Sequence, residues 1–243
     1  MNYYDNKLFN FNSYFMSPIL SLIIIIILSY FAGSIPSAVI ISKIFYGFDI
    51  REKGSGNMGS TNAFRILGWK WGIVVQVADV LKGLFAVLVI AKLFDVNYNF
   101  GSSYFENQTI VMIIAGASAV IGHIYSVFVG FKGGKGINTT AGMLLGIAPI
   151  EVGIALGIFL IAVVLSGYIS LGSILAALSL PSSLLFRYNI FGVNIPGYHI
   201  LIYFITALSL LLVFAHRSNI KRLLKGTESR FNKLHLIKLK SNK

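Results

Sequence analysis

Residues 17–45 read SPILSLIIIIILSYFAGSIPSAVIISKIF, and Lys43 is the only charged side chain in this stretch. An α-helix needs about 20 apolar residues to cross the hydrocarbon core of a bilayer. The other long apolar runs are continuous rather than alternating, which is typical of membrane helices and not of a transmembrane barrel. They lie at 69–94, 109–129, 137–166, 168–186 and 198–215. The sequence therefore predicts an all-α, polytopic integral membrane protein.

The composition supports this class and excludes others. Of the 243 residues, 56% are hydrophobic and 12% are charged, whereas a soluble domain is about 25% charged. The net charge of +12 could indicate nucleic acid, but Lys and Arg also collect on the cytoplasmic side of membrane proteins, and we favour that explanation. The chain has no cysteine, which excludes disulfides, thiolate metal sites and a cysteine nucleophile. Four His and eight carboxylates are scattered, so we predict no metal site. We also predict no cofactor, and the interpretation of the net charge predicts no nucleic-acid partner.

The run 137–166 leaves the number of spans open. Pro149 and Glu151 interrupt it, so it forms either one helix, giving six spans, or two short or partly re-entrant helices at 138–150 and 151–166, giving seven.

The basic residues favour seven spans. Seven spans place the basic segments 46–68, 130–137 and 216–243 on one side of the membrane, whereas six would place the tail opposite the other two. We therefore predict a seven-helix bundle with the N-terminus outside and the C-terminus in the cytoplasm. The predicted parts are a polar N-terminal extension (1–16), a membrane domain (17–215) and a basic cytoplasmic tail (216–243). Small residues are expected to permit close helix packing, namely Gly116, Ala117, Ser118, Ala119, Gly142, Gly146, Gly153 and Gly157.

The loop GSGNMGSTN (54–62) is dense in small polar residues, and Arg65 follows it. Glycines let backbone N–H groups converge on an anion, and a helix starting at Thr61-Asn62 would add its positive dipole end. The alternative is a flexible interfacial loop with a helix cap. We favour an anion site.

The loop GFKGGKG (130–136) resembles a phosphate-binding loop but fails the Walker A spacing, because three residues rather than four separate Gly130 from Gly134-Lys135 and no Ser or Thr follows. An NTPase is therefore excluded. Anion binding by backbone N–H groups together with Lys132 and Lys135 remains the expectation.

Ionisable residues also lie within or beside the apolar runs. Asp79 and Lys82 are three residues apart on one helix face, and they form either a neutralising pair or part of a catalytic site. A lone histidine such as His123 is more often structural. The tail starts with His216 and contains Asn219, which contribute nothing to a basic membrane anchor and so are candidates for a site. The stretch 233–243 is expected to be an anchor only.

These motifs resemble those of the bacterial acyl-phosphate:glycerol-3-phosphate acyltransferases, the PlsY family. The resemblance covers about residues 20–230 and rests on GSIP (33–36), GSGNMGSTN (54–62), Asp79 with Lys82-Gly83, Gly122-His123 with FKGGKG (131–136), and the tail from His216 to Arg230. Ser126 departs from the family, which usually has proline there, and residues 187–197 form a longer loop.

The resemblance implies a function. An enzyme of this family transfers a fatty acyl group from acyl-phosphate to the 1-hydroxyl of glycerol 3-phosphate and forms lysophosphatidic acid for phospholipid biosynthesis. The implied partners are these two substrates, the lipid bilayer of a bacterial cell membrane and a soluble acyl-phosphate synthase that supplies the donor. The implied fold is a seven-helix bundle with its site at the cytoplasmic face.

The resemblance also implies residue roles. Ser170 matches the later serine of the family, with Ser173 as the competing alignment, and Glu228 matches a structural glutamate. The implied catalytic residues are Ser55, Arg65, Lys132, Ser170, His216 and Asn219. The implied substrate-binding residues are Gly54, Gly56, Asn57, Gly59, Thr61, Asn62, His123, Gly130, Gly133, Gly134, Lys135 and Gly136.

Acyl-phosphate is already activated, so positioning and electrostatic stabilisation can supply the catalysis. The shortage of carboxylates favours substrate phosphate as the proton acceptor, with a histidine base or an acyl-Ser55 intermediate as rivals. Two other functions are weighed. The His-x4-Asp motif of other glycerolipid acyltransferases is absent, since Phe128, Phe204 and Lys221 stand five residues after His123, His199 and His216. A phosphate-ester transporter would need more mid-membrane ionisable groups than Asp79 and Lys82.

Overall fold

Every regular element in the described part of the chain is a helix. The computed structural model describes residues 17–94, 98, 100 and 106–230. The predicted polar extension 1–16, Asp95 and the predicted anchor 233–243 lie outside these residues. The α-helices are α1 (Pro18–Ser34), α2 (Ser37–Tyr46), α3 (Ser60–Ile66), α4 (Trp69–Leu88), α5 (Asn107–Ile124), α6 (Ile137–Ile147), α7 (Pro149–Ser166), α8 (Ile169–Asn189), α9 (Tyr198–Ala215) and α10 (Arg217–Leu224).

Six helical stretches among the described residues are long and apolar enough to cross a membrane, which confirms the predicted class of protein. They are Pro18–Tyr46, Trp69–Lys92, Asn107–Val129, Pro149–Ser166, Ile169–Asn189 and Tyr198–Ala215. The first of them contains two helices, because Pro36 follows a break at Ile35 and cannot donate the backbone hydrogen bond that would continue α1.

The run 137–166 divides into α6 and α7, as the two-helix interpretation predicted. The division falls at Ala148 rather than after residue 150, because Pro149 occupies the first turn of α7, where its missing N–H costs nothing. Helix α6 has 11 residues, which rise about 16 Å, whereas the hydrocarbon core is about 30 Å thick. A full seventh span therefore stays a prediction.

The chain forms two compact units, one with the helices up to Ile147 and one from Ala148 onward. In the first unit, glycines bring pairs of helix backbones together. A Cβ atom at Gly33 or Gly122 would collide with backbone across the α1–α5 interface, and one at Gly83 or Gly142 would collide with backbone across the α4–α6 interface. Close packing at small residues is thereby confirmed for Gly142. It is wrong for Gly153 and Gly157 in α7, where an added Cβ would meet no atom within 4 Å.

In the second unit, α7, α8 and α9 pack in chain order. Glu151 in the first turn of α7 forms a buried ion pair with Arg187 in the last turn of α8. Each charge also lies at the helix end whose dipole it complements.

Pro181 lies inside α8 and leaves the carbonyl of Ala177 without its usual helical donor. The Ser209 hydroxyl of α9 donates to that carbonyl at 2.6 Å, which satisfies it in an apolar environment.

Candidate active site

Asn62 organises the first glycine-rich loop. Its side chain is 1% exposed, and its amide nitrogen donates to the carbonyls of Ile50, Lys53 and Asn57 at 3.2, 3.1 and 2.8 Å. Its amide oxygen accepts from the Ser55 N–H at 3.0 Å. The Asn62 side chain, which was predicted to bind substrate, therefore stabilises the conformation of the loop.

Several of the loop's own backbone donors are used within the protein. The N–H of Gly56 bonds to Lys53, and the N–H of Gly59 bonds to the Asn57 side chain. Gly54 and Gly56 have φ values of +64° and +71°, a region that favours glycine. The loop therefore requires these glycines for their conformational freedom. It does not require them to form a converging set of N–H groups.

Backbone N–H groups of the second glycine-rich loop also bond within the protein. The N–H groups of Gly133 and Gly134 donate to the carbonyls of Ile124 and His123 at the end of α5, both at 3.0 Å. A Cβ at Gly134 would collide with the His123 ring. The N–H groups of Ser55, Gly56, Gly59, Gly133 and Gly134 thus bond within the protein. Anion binding by these two loops stays a prediction.

The donors that remain for an anion include those at the start of α6. The N–H of Thr140 makes the first helical bond, to Gly136, so the N–H groups of Ile137, Asn138 and Thr139 have no acceptor within the helix. The Asn138 amide donates to the Ser60 hydroxyl at 2.9 Å and joins this helix start to the first loop. Such a helix start favours negative charge.

A cavity of about 280 Å³ lies where the two loops meet. Its charged side chains are two cations, Arg65 and Lys135, and the carboxylate of Asp79. It is lined by Ser55, Asn57, Gly59, Ser60, Thr61, Asn62, Arg65, Asp79, His123, Lys135, Gly136, Ile137 and Asn138. The structure thus brings together most of the predicted residues of the two loops, Ser55 and Arg65 among them.

Lys132, a predicted phosphate ligand, lines a different cavity of about 390 Å³, together with Asp49, Arg51, Glu52, Gly56 and Gly133. Lys135 is the lysine of this loop that faces the first cavity. The left-handed conformations of Gly130 and Phe131, with φ values of +68° and +60°, set the turn that precedes Lys132.

Arg51 links the turn before the first loop to the segment before the second. The Arg51 guanidinium donates to both carboxylate oxygens of Asp49, at 3.0 and 2.8 Å, and to the carbonyl of Val129 at 2.9 Å. The same short turn accepts the Asn62 side chain through the Ile50 carbonyl. These hydrogen bonds of Arg51 lower the pKa of Asp49 from 3.8 to about 2.

We expect this pair to give a specific pH dependence of stability. Because the pKa of Asp49 is lowered on folding, its contribution is present above about pH 4 and is lost as the pH falls toward 2. Asp49→Asn should lower the melting temperature in detergent by a constant amount from pH 5 to 8, and the difference should shrink below pH 4. Glu52→Gln on the same turn is the control. A difference that persists at pH 2 would contradict this assignment.

A buried ionic cluster forms one wall of the first cavity. Lys82 Nζ lies 2.6 Å from Asp79 Oδ1, and the two side chains are 7% and 2% exposed. His123 Nδ1 lies 3.8 Å from the same oxygen and has no hydrogen-bond partner among the described residues. Ionisable groups this deep in a membrane helix are costly unless they are paired or functional.

An apolar groove begins at this cluster. It has a volume of about 590 Å³ and is lined by Ala32, Ile35, Ser37, Ala78, Leu81, Lys82, Leu84, Phe85, Leu88 and Val89. Lys82 is its only charged lining residue, and the Asp79 that pairs with it lines the polar cavity. A polar cavity and an apolar groove therefore share this ion pair.

The second unit holds the remaining predicted residues. Glu228 accepts hydrogen bonds from Asn219 at 2.9 Å and from Arg222 at 2.6 Å. These bonds lower the pKa of Glu228 to about 2. The nearby Ser170 hydroxyl also lowers this pKa, although it forms no hydrogen bond of standard geometry with Glu228. The predicted structural role of Glu228 fits these contacts.

Ser170 and Ser173 differ in their surroundings. The Ser170 hydroxyl is buried without a hydrogen-bond partner among the described residues, whereas the exposed Ser173 hydroxyl donates to the Ile169 carbonyl at 3.0 Å. This favours Ser170 over Ser173. His216 Nδ1 lies 2.8 Å from the Leu212 carbonyl, which can only accept, so Nε2 is the nitrogen left for another partner.

Sequence reasoning left four residues that line the cavity out of the predicted site, namely Ser60, Asp79, Ile137 and Asn138. Asn138 is a polar residue directly after the second glycine loop, and its position at a helix start was the available signal. Asp79 was considered as an ion pair or a catalytic residue, but its place in the cavity depends on packing that the sequence does not display.

The comparisons with known proteins point to one family. A family model described as glycerol-3-phosphate acyltransferase matches residues 23–226. A protein named glycerol-3-phosphate acyltransferase from Chlorobaculum tepidum is 43% identical over 228 residues, which cover 88% of this chain and 97% of that one. Its namesake from Chlorobium phaeobacteroides strain DSM 266 is 45% identical over 230 residues, covering 87% and 97%.

Solved structures agree with these relatives. Crystal structures of PlsY (YgiH), an integral membrane glycerol 3-phosphate acyltransferase, in its glycerol 3-phosphate form and its lysophosphatidic acid form, each align with a TM-score of 0.63. They are 34% and 33% identical to this chain and cover 88% of it and 97% of their own length.

Proposed function

Because this chain belongs to the glycerol-3-phosphate acyltransferase family, we propose that its acyl donor is an acyl-phosphate and that its products are lysophosphatidic acid and inorganic phosphate. The chain is an integral membrane acyltransferase of glycerol 3-phosphate. The observation that carries the choice of donor is the cavity itself, which is cationic at one side and shares a buried ion pair with an apolar groove.

The charges of the cavity suit two phosphate groups. The Arg65 guanidinium can donate two parallel hydrogen bonds to a phosphate, and Lys135 adds a point charge. The N–H groups at the start of α6 add donors with the positive end of the helix dipole.

In the proposed reaction the oxygen of the 1-hydroxyl attacks the acyl carbonyl carbon, and an ester C–O bond forms. The bond between that carbon and the phosphate oxygen breaks, and the phosphate leaves with the electron pair. The hydroxyl proton passes to a phosphate oxygen, so the reaction needs no protein base. The side chains that line the cavity position the reactants and stabilise the negative charge that develops.

Two rival mechanisms make different predictions. A histidine base requires that His123→Ala or His216→Ala abolish turnover while substrate binding persists, whereas we expect clear residual turnover. An acyl-Ser55 intermediate requires that acyl-phosphate alone label the protein, whereas we expect no label. The roles implied for Ser170, His216 and Asn219 stay predictions of the family resemblance.

The apolar groove is proposed to hold the acyl chain. Its lining is apolar apart from Ser37 and Lys82, and Lys82 marks the end nearest the cavity. Leu88 lies six residues further along α4, about 9 Å from Lys82 along the helix axis. A chain seated with its carbonyl near the ion pair would therefore pass Leu88 with its distal carbons.

Leu88→Trp should change the preference for chain length. The larger ring fills the distal part of the groove, so turnover of a 16-carbon acyl-phosphate should fall at least about tenfold relative to an 8-carbon donor. The measurement is kcat/KM for both donors. Leu160→Trp, at a 52% exposed position of α7, is the matched control and should leave the ratio unchanged. An unchanged ratio in Leu88→Trp would place the chain elsewhere.

The donor is tested with purified protein, glycerol 3-phosphate and one donor at a time. Acyl-phosphate should give lysophosphatidic acid and phosphate in equal amounts, whereas acyl-CoA and acyl-carrier protein should give neither. Product from acyl-CoA would contradict the proposed donor. A soluble acyl-phosphate synthase as supplier follows from the donor, because acyl-phosphate must be made from another activated acyl group.

The cavity is proposed to open to the cytoplasm, as the basic loops require under the positive-inside rule. The chain has no cysteine, so Lys53→Cys introduces a single reactive thiol on the exposed first loop. A membrane-impermeant maleimide should label it in inside-out vesicles and not in intact cells. Labelling in intact cells would reverse the orientation.

A further inference from the structure

Asp79 is the only carboxylate among the residues that line the first cavity. Its side chain is 2% exposed, so the surrounding helices fix its place. A carboxylate repels phosphate, and its presence in a cavity for anions is therefore not explained by the phosphates that the cavity would bind. It indicates a ligand group that donates hydrogen bonds.

The contacts of Asp79 leave it capacity to accept. The salt bridge to Lys82 at 2.6 Å and the approach of His123 Nδ1 at 3.8 Å both involve Oδ1. An ionised carboxylate has about four acceptor positions on its two oxygens and no donor. The Nδ1 atom of His123 at the same wall is buried and has no hydrogen-bond partner among the described residues.

Glycerol 3-phosphate carries a dianionic phosphate and two hydroxyl groups. The phosphate matches Arg65, Lys135 and the start of α6, which leaves the hydroxyl groups to find acceptors. The 1-hydroxyl gives up its proton in the reaction, whereas the 2-hydroxyl remains a donor from substrate to product. A permanent acceptor in the wall therefore suits the 2-hydroxyl.

We propose that Asp79 accepts a hydrogen bond from the 2-hydroxyl of glycerol 3-phosphate and so determines the specificity of the enzyme for its acceptor. Holding the 2-hydroxyl also orients the neighbouring 1-hydroxyl toward the acyl carbonyl. Lys82 Nζ lies 2.6 Å from Asp79 Oδ1 and holds the carboxylate in place at this buried position. This inference rests on the proposed function, because it places glycerol 3-phosphate in the cavity.

The test compares two acceptors, glycerol 3-phosphate and 3-hydroxypropyl phosphate, which lacks only the 2-hydroxyl. The wild-type protein should favour glycerol 3-phosphate in kcat/KM by about 10- to 100-fold, because the analogue leaves an acceptor position of the buried Asp79 carboxylate without a donor. In Asp79→Ala/Lys82→Met, which removes both charges, this ratio should fall to within about threefold of 1. A ratio between two substrates does not depend on the fraction of folded protein.

Glu151→Gln is the matched control. Glu151 is also 2% exposed and paired with an arginine, but it belongs to the second unit and does not line the cavity. This variant should lower the yield of folded protein and leave the acceptor ratio at the wild-type value. If the double variant does not fold, Asp79→Asn replaces it, because it keeps the shape, loses the charge and should lower the ratio partly.

The outcomes separate the two claims. Wild-type turnover of glycerol 3-phosphate with a wild-type ratio in the Asp79 variants would overturn the inference and leave the proposed function standing. A ratio near 1 measured in the wild-type protein would likewise overturn the inference and leave the proposed function standing. Absence of lysophosphatidic acid from wild-type protein with acyl-phosphate would overturn the proposed function and the inference with it.

Discussion

Arg65→Ala should lower kcat/KM for acyl transfer to glycerol 3-phosphate by about 100- to 1,000-fold. Arg65 carries the only guanidinium among the residues that line the cavity. Removing a donor that stabilises the charge that develops in the transition state typically costs this much. Initial rates of lysophosphatidic acid formation at several concentrations of each substrate provide the measurement.

Two further variants separate the chemistry of this side chain from its charge. Arg65→Lys keeps the charge but loses the planar pair of donors, so its rate should lie between those of the wild type and Arg65→Ala. Lys70→Ala removes an exposed cation that does not line the cavity and should stay within about twofold of wild type. A loss of less than about tenfold in Arg65→Ala would show that the phosphates are held elsewhere.

Gly142→Ala should lower the melting temperature and the yield of folded protein. A Cβ at this position would collide with the Val80 carbonyl of α4, and neither backbone can yield without parting the two helices. Overpacking of this kind costs about 1–3 kcal/mol or more, out of a typical stability of about 5–15 kcal/mol. Since α4 carries Asp79 and α6 starts at the cavity, the protein that does fold should also lose activity.

The matched control is Gly157→Ala. It is the same substitution in a helix, but an added Cβ would meet no atom within 4 Å. Because alanine favours helix more than glycine by about 1 kcal/mol, this variant should be as stable as wild type or slightly more so. The measurement is the melting temperature and the monodisperse fraction in detergent. Equal behaviour of the two variants would contradict the α4–α6 packing.

The membrane helices could be predicted from the sequence because their signal is local. A run of about 20 apolar residues needs a helix whatever its neighbours do, and the proline at 149 marked the division of the longest run to within two residues. The same reasoning missed the break at Pro36, since a continuous apolar run conceals a short interruption.

The site could be predicted as a set of residues but not as a set of contacts. The glycine-rich composition indicated that both loops belong to the site. It could not show that the N–H groups of Gly133 and Gly134 donate to carbonyls at the end of α5. Nor could spacing show that Lys135 rather than Lys132 faces the cavity with Arg65. Those facts depend on residues that only the folded chain brings together.

A single-turnover reaction with phosphorus-32 in glycerol 3-phosphate tests acyl transfer in this cavity. With acyl-phosphate as the only donor, the label should enter lysophosphatidic acid at the rate at which unlabelled phosphate is released, and Arg65→Ala should slow both together. Release of phosphate without entry of the label, or unchanged labelling in Arg65→Ala, would contradict acyl transfer at this cavity.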